Sequence, residues 1–176
     1  MKCKFLKNCS ITSRYAMMLI VGALSMTGTA SATLIESIAA LEEGAMYRVL
    51  FVTRDKTTAW EWDIDYYNTF VSNAAVSGSV TGSMGLTWKA LASTGNMNAQ
   101  DNSGVYIGDN SSITMFNTSG QIVATSGADL WSGVLDSQIN YNENANGLDT
   151  FVWTGTHWDG STFSPLGDRG PTYGDR

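Results

Sequence analysis

The residues best suited to binding chemistry are concentrated in one segment, residues 151–160, with the sequence FVWTGTHWDG. It contains His157, the single histidine of the chain, together with Trp153, Trp158 and Asp159. Aromatic faces stack on sugar rings and anchor protein partners, so we expect Trp158 to lie exposed at the rim of a ligand site. His157 and Asp159 are candidate ligand-binding residues beside it. The alternative is a core strand that ends in a turn at the Asp-Gly pair.

A second candidate site precedes this segment, in the asparagine-rich stretch 140–149. Asparagines alternate there and Gly147 follows them, a pattern that resembles the oxygen ligands and sharp turn of a calcium loop. The match is incomplete, because the first position is Asn rather than Asp and Trp153 occupies the twelfth. The candidate calcium ligands are Asn142, Asn144, Asn146 and Asp149. Further oxygens would have to come from Asp101, Asp109 or Asp159. Tyr141 is the candidate aromatic contact for a ligand, and a solvated polar loop is the alternative.

The sequence predicts no catalytic residue. Nucleophilic catalysis needs a hydroxyl or thiol beside a base, and His157 has no G-x-S-x-G motif to serve. A hydrolase that uses two carboxylates stays open as an alternative, since the chain contains 16 acids. Spacing along the chain does not place two of these carboxylates across one cleft.

The first 32 residues have the pattern of a cleaved secretory signal. Four basic residues precede an apolar run at 15–24, and Ala30-Ser31-Ala32 forms an A-x-A cleavage site. The apolar run is about half of the roughly 20 residues that span a bilayer, so we expect no stable membrane anchor after cleavage. The pattern predicts a secreted, extracellular or periplasmic protein.

Removal of the signal changes the chemistry of the remaining chain, residues 33–176. Both cysteines, Cys3 and Cys9, lie in the signal, which excludes thiol chemistry and cysteine-ligated zinc from the mature protein. Six basic and 16 acidic residues remain, a formal net charge of −10. Such a surface repels phosphate backbones, so nucleic acid is not an expected partner. Divalent cations or basic partners are compatible with it, and so is simple solubility.

Hydrophobic periodicity predicts two helices in a single domain. Leu34, Ile38 and Leu41 share one face of a helix over 33–43. Residues 60–75 repeat apolar side chains at steps of four and three, which predicts the longest helix, with Trp60 on its buried stripe. A short helical turn is predicted at 128–133.

Strand-forming residues predict a sheet of short strands between these helices. The predicted strands are 47–53, 86–92, 105–107, 113–117, 121–124 and the start of 151–160. Long polar loops separate them, which indicates an α+β fold rather than βαβ units. Four tryptophans are predicted to lie in the core, namely Trp60, Trp88, Trp131 and Trp153.

The order of several motifs resembles a known family. TWKALAS (87–93), MFNTSGQI (115–122), DLWSG (129–133) and VWTGTHWDG (152–160) occur in this sequence. Their order is similar to that of the endostatin-like branch of the C-type lectin-like fold. It is closer still to secreted bacterial proteins of this type, many of which end in a PEP-CTERM sorting tail. The resemblance implies a C-type lectin-like domain that places calcium and sugar in the long loops before the last motif.

The chain also departs from that family. It has no counterpart of the endostatin disulfides, and its acidic charge does not match a basic heparin-binding surface. It has no sorting tail, and we expect it to lack the last, tryptophan-bearing strand of the family. The sequence therefore predicts a secreted, non-enzymatic binding or matrix module for an extracellular polysaccharide or protein. The alternatives are a calcium-stabilised sugar-binding domain and the carboxylate hydrolase.

Overall fold

A computed structural model of the protein describes residues 30–168, in which short helices and strands are joined by long loops. The elements are α1 (Ala30–Ala39), β1 (Tyr47–Leu50), α2 (Ile64–Ser77), α3 (Ala99–Ser103), β2 (Thr114–Asn117), β3 (Ile122–Ala124) and α4 (Gly127–Leu130). The predicted α+β class is confirmed. Most of the predicted signal lies outside the described residues, as does the end of the chain, 169–176; the predicted cleavage point after Ala32 falls within α1.

The sheet has three strands in the order β1-β2-β3 and is mixed. β1 pairs with β2 in parallel, with Tyr47 opposite Thr114. β2 pairs with β3 antiparallel, and the pairing has an irregularity between Met115 and Phe116. The hairpin closes at Gly120, whose φ of 87° is in the left-handed region that glycine adopts without strain. The predicted hairpin is thus confirmed.

The apolar core divides into three clusters. Met115 belongs to the cluster that contains Trp131, whereas the next residue, Phe116, packs in the cluster of Leu34 from α1. Consecutive strand residues point to opposite faces, so these two clusters cover the two faces of the sheet. In the third cluster, Ile64 of α2 packs with Leu166, Ala90 and Ala92.

Helix α2 begins four residues later than predicted. Asp63 ends the preceding extended chain and caps the helix, because its carboxylate accepts the backbone N–H of Asp65 at 2.9 Å. Trp60 therefore lies outside the helix and its side chain is 70% exposed. The prediction that Trp60 belongs to the core is wrong, because an N-cap signal inside the apolar pattern overrides the periodicity.

Residues 86–92 form no strand, although their alternation is real. Ala90 and Ala92 are buried as expected, but the chain lies outside the sheet. Side-chain amides replace the missing ladder: Asn68 Oδ1 accepts the Ala90 N–H at 2.9 Å, and Asn102 Nδ2 donates to the Ala90 carbonyl at 2.7 Å. These bonds satisfy the buried backbone without a partner strand.

The remaining elements differ from prediction mainly in length. β1 is shorter than 47–53, and α1 ends at Ala39 instead of 43. The strand predicted at 105–107 is absent. Helix α3 was predicted as loop; Asn98 caps its start and Gly104, with a φ of 65°, ends it. That pair of caps is the signal that could have revealed it.

Candidate functional site

Residues 151–163, here called the aromatic segment, expose large side chains to solvent. Phe151 is fully exposed, Trp153 is 61% exposed and Trp158 is 56% exposed, and Phe163 is exposed as well. No strand of the sheet includes residues 151–154. The predicted strand and the predicted burial of Trp153 are therefore wrong. The predicted exposure of Trp158 agrees with the structure.

Two glycines anchor the backbone of this segment against the domain. Gly155 has a φ of 68°, and a Cβ at this position would lie 2.6 Å from the Ser93 carbonyl oxygen. Gly160 has a φ of 81°, and a Cβ there would lie 2.6 Å from Gln100 Cγ and 2.9 Å from the Trp131 ring. Only glycine fits such close approaches with positive φ. The backbone is therefore fixed while its aromatic side chains project outward.

His157, Trp158 and Phe163 form an aromatic group on this backbone. The His157 ring centroid lies 5.3 Å from that of Trp158 and 5.6 Å from that of Phe163. The Trp158 ring lies over Gly133, since a Cβ on that glycine would be 3.5 Å from Trp158 Cε3. The His157 N–H donates to the Ser161 carbonyl at 2.8 Å, which closes the turn. One face of the indole is thus supported by backbone.

Asp159 adds a carboxylate beside these rings. Its Oδ1 accepts the Ser161 hydroxyl at 2.6 Å and the Ser161 N–H at 2.9 Å, and it lies 3.4 Å from His157 Nδ1. The hydrogen bonds from Ser161 lower the pKa of Asp159, and the nearby His157 acts in the same direction. Gln100 Nε2 donates to the Asp159 carbonyl at 2.7 Å and positions the turn. The site combines aromatic faces with an ionised hydrogen-bond acceptor.

The asparagine loop, residues 140–149, is organised by Asn142. The side chain of Asn142 is buried, and its Oδ1 accepts the backbone N–H groups of Asn144 and Asn146 at 2.9 and 3.0 Å. Asn144 Oδ1 in turn accepts the Ser79 N–H at 2.7 Å. Two of the four proposed ligand oxygens therefore bind backbone, while Asn146 and Asp149 are exposed.

The other oxygens considered for calcium are also engaged locally. Asp109 accepts the Ser111 hydroxyl, and Asp101 accepts Asn98 Nδ2 at 2.8 Å. Between residues 30 and 168 no group of three or more His, Cys, Asp or Glu side chains could hold a metal ion. Calcium binding stays a prediction.

Tyr141 lies at the base of the same loop and is half-buried. Its carbonyl accepts the Val52 N–H at 2.9 Å, and its ring lies 3.8 Å from where a Cβ of Gly147 would be. In the described part of the chain, no hydrogen bond or ring contact joins Tyr141 to the group around Trp158. The structure brings together His157, Trp158 and Asp159 and leaves Tyr141 with the loop.

Glu143 is the one buried acid within the described range. Its Oε2 accepts the Arg54 N–H at 3.0 Å, and its Oε1 accepts Asn144 Nδ2 at 3.3 Å. Its backbone carbonyl accepts the N–H groups of Val80 and Thr81, both at 3.3 Å. These contacts give Glu143 a structural role, and the carboxylate hydrolase stays a prediction.

Sequence reasoning missed an exposed pair of tryptophans, Trp60 and Trp62. Gly167 holds the backbone of this stretch: its N–H donates to the Ala59 carbonyl at 2.8 Å, and a Cβ at this position would lie 2.5 Å from the Glu61 carbonyl oxygen. Trp, Glu, Trp and Asp follow one another in this stretch. The alternation of aromatic and acidic residues is the signal that could have indicated an exposed segment instead of a helix face.

A polar groove of about 490 Å³ lies at the N-terminal end of α2. Its lining residues are Asp63, Ile64, Asp65, Asn68, Thr87, Trp88, Lys89, Asn96, Met97, Asp101 and Asn102. The volume is within the range of small-molecule sites. The two carboxylates of this groove, Asp63 and Asp65, are exposed to solvent.

Comparisons of the whole chain with models of protein families, with curated proteins and with solved structures find no match. Over residues 30–168 no helix is both long and apolar enough to cross a membrane; the longest is α2, with 14 residues.

Proposed function

We propose that this protein is a secreted, non-enzymatic binding module whose ligand is an extracellular polysaccharide. The contact surface is formed by Trp158, His157, Phe163 and Asp159. The observation that carries the proposal is the exposed Trp158 ring, which rests on Gly133 and lies beside the Asp159 carboxylate that Ser161 hydrogen-bonds.

The chemistry of these groups suits a sugar ring. The apolar face of a pyranose stacks on an indole, and a carboxylate accepts hydrogen bonds from sugar hydroxyls. Asp159 is ionised at neutral pH, as an ordinary aspartate is, and the hydrogen bonds from Ser161, which lower its pKa, extend this role to more acidic conditions. The backbone of the aromatic segment is fixed by Gly155 and Gly160, so little backbone freedom remains to be lost on binding.

The resemblance to the C-type lectin-like fold supports the same proposal. Two of the four motifs have the expected local structure, the β2-β3 hairpin at 115–122 and the helical turn α4 that overlaps 129–133, whereas 87–93 and 152–160 form no strand of the sheet. Residues 1–32 have the basic, apolar and small-residue order of a secretory signal, which supports export of the protein. An exported protein can reach the polysaccharides of a cell surface or matrix. The acidic net charge opposes nucleic acid as a ligand.

The test is binding of Trp158→Ala to an array of polysaccharides and oligosaccharides, with and without calcium. We expect binding to fall at least about tenfold, a loss of about 1.4 kcal/mol in binding free energy, while the melting temperature barely changes. Trp60→Ala is the matched control, because Trp60 is exposed at a different place and should leave binding unchanged.

Two results would contradict the proposal. One is normal binding by Trp158→Ala; the other is a large loss of stability with unchanged binding. The calcium arm separates the alternatives: loss of sugar binding in EDTA, together with a calcium-dependent rise in melting temperature, would favour the calcium-stabilised form of the site.

A further inference from the structure

The four asparagines of the asparagine loop differ in how their side chains are held. Asn142 Oδ1 accepts two backbone N–H groups, Asn144 Oδ1 accepts the Ser79 N–H, and Asn140 Nδ2 donates to Gln138 at 3.3 Å. The side chain of Asn146 is exposed and makes no hydrogen bond within residues 30–168. Asn146 is therefore the asparagine of this loop whose amide can rotate freely.

Asn146 is also the only asparagine of the chain that is followed by glycine. Gly147 is exposed and faces Tyr141 across an antiparallel bridge. The hydrogen bonds of that bridge are made by the flanking residues, Asn142 N–H to Asn146 O at 2.9 Å and Leu148 N–H to Asn140 O at 2.7 Å. In such a pair the facing residues donate no ladder bond, so the Gly147 nitrogen is not engaged with the opposite strand.

We propose that Asn146 is a site of spontaneous modification, converted without any other protein to aspartate and isoaspartate. The Gly147 nitrogen loses its proton and attacks Asn146 Cγ. A new N–Cγ bond forms, the bond from Cγ to the side-chain nitrogen breaks, and ammonia leaves with the proton. Water then opens the cyclic imide at either carbonyl. Attack of water on the main-chain carbonyl carbon of residue 146 yields isoaspartate, because the chain then continues through Cγ. Attack on Cγ yields aspartate.

The modification alters the loop in two ways. It replaces a neutral amide by a carboxylate, in a chain that is already acidic. Isoaspartate also inserts a methylene into the main chain between two bonds of the turn, Asn146 N–H to Asn142 Oδ1 and Asn142 N–H to Asn146 O. Because these bonds hold the buried Asn142, the isoaspartate form should unfold at a lower temperature than the unmodified form.

The experiment is incubation of the purified chain at mildly alkaline pH, followed by peptide mass mapping and an enzymatic assay for isoaspartate. We expect conversion at Asn146 to be at least about tenfold faster than at Asn142 or Asn144, the ratio produced by a barrier difference of about 1.4 kcal/mol. Equal rates at the three asparagines would overturn the proposal.

Gly147→Ala is the matched variant, since a methyl group hinders attack by the nitrogen. It should fold normally, because its Cβ would meet only Tyr141 Cε1, at 3.8 Å, and Gly147 does not have a left-handed φ. We expect it to slow conversion at Asn146 at least about tenfold, by the same relation between barrier and rate. An unchanged rate would overturn the mechanism. Asp159-Gly160 is an internal control, because the Gly160 N–H donates to the His157 carbonyl at 3.0 Å and should yield no isoaspartate on this timescale.

Discussion

The asparagine loop and the aromatic segment are adjacent in the chain, and their burial is the reverse of what their side-chain types predict. In the loop, Asn142 and Glu143 are only 2% and 3% exposed. In the segment that follows, Trp153 and Trp158 project into solvent. The comparison shows that hydrophobicity along the chain does not by itself decide which of two neighbouring loops is inside.

Hydrogen-bond partners explain the buried polar loop. Buried polar groups are stable only when they are hydrogen-bonded, and Asn142 and Glu143 each bind backbone groups that would otherwise lack a partner. Among the described residues every buried side-chain nitrogen or oxygen has a hydrogen-bond partner. The loop therefore serves as a polar core element.

Backbone anchoring explains the exposed aromatic segment. Gly155 and Gly160 hold its main chain close to Ser93 and Trp131, and the side chains of Trp153 and Trp158 project into solvent from this fixed backbone. Exposed aromatic residues on a fixed backbone are typical of binding surfaces. This difference gives the asparagine loop a structural role and supports the recognition role proposed for the aromatic segment.

Asn142→Ala should have the largest effect on stability. It removes the acceptor of two N–H groups in a buried position and leaves a small cavity, so we expect the free energy of unfolding to fall by about 3 kcal/mol. Chemical denaturation measures this loss. Asn140→Ala is the control, because its amide bonds only an exposed glutamine side chain, and it should cost less than about 0.5 kcal/mol. Equal costs would mean that Asn142 does not organise the loop.

Gly160→Ala should have the next largest effect, now in the aromatic segment. Alanine is strained at the φ of residue 160, and its Cβ would collide with Gln100 and the buried Trp131 ring. We therefore expect the free energy of unfolding to fall by about 2 kcal/mol. Gly85→Ala separates the two causes, since Gly85 has a φ of 64° and no atom within 4 Å. If both variants lose the same stability, crowding at Gly160 contributes nothing and the anchoring explanation fails.

The smallest expected effect concerns pH. The pKa of Asp159 is lower in the folded protein than its ordinary value, so the stability it contributes is complete above about pH 4 and is lost as the pH falls through the folded pKa. Asp159→Asn should therefore reduce the fall in melting temperature on acidification. Asp109→Asn is the parallel variant, because hydrogen bonds from Ser111 lower the pKa of Asp109 in the same way. An acid transition that neither variant changes would contradict this account.

Much of the fold was predictable from local patterns. Leu34 and Ile38 share a face of α1 because the helical repeat places them there, and Leu41, just beyond the end of the helix, packs in the same cluster. The hairpin at Gly120 was predictable because a turn with left-handed φ needs glycine between strand-forming runs. These features depend on interactions a few residues apart.

Other features depend on distant partners that no local pattern reveals. Residues 86–92 alternate as a strand does, yet Asn68 and Asn102 supply the bonds that a neighbouring strand would. Within the candidate site, the exposure of Trp158 was predicted, but its support by Gly133 and the bond from Ser161 to Asp159 were not. A side-chain amide or hydroxyl from almost any point of the chain can form a hydrogen bond with a given backbone group. Which side chain does so is therefore decided by the tertiary structure.

The amino-acid sequence by itself determined the α+β class, the acidic charge and the sites of the main turns. Short-range periodicity, the positions of glycines and the summed charge can be read from the sequence without a folded structure. Only the tertiary structure decided that Asn142 and Glu143 are buried and that Trp153 and Trp158 are exposed. Burial is settled by which groups find partners across the fold, and that depends on contacts between residues far apart in the chain.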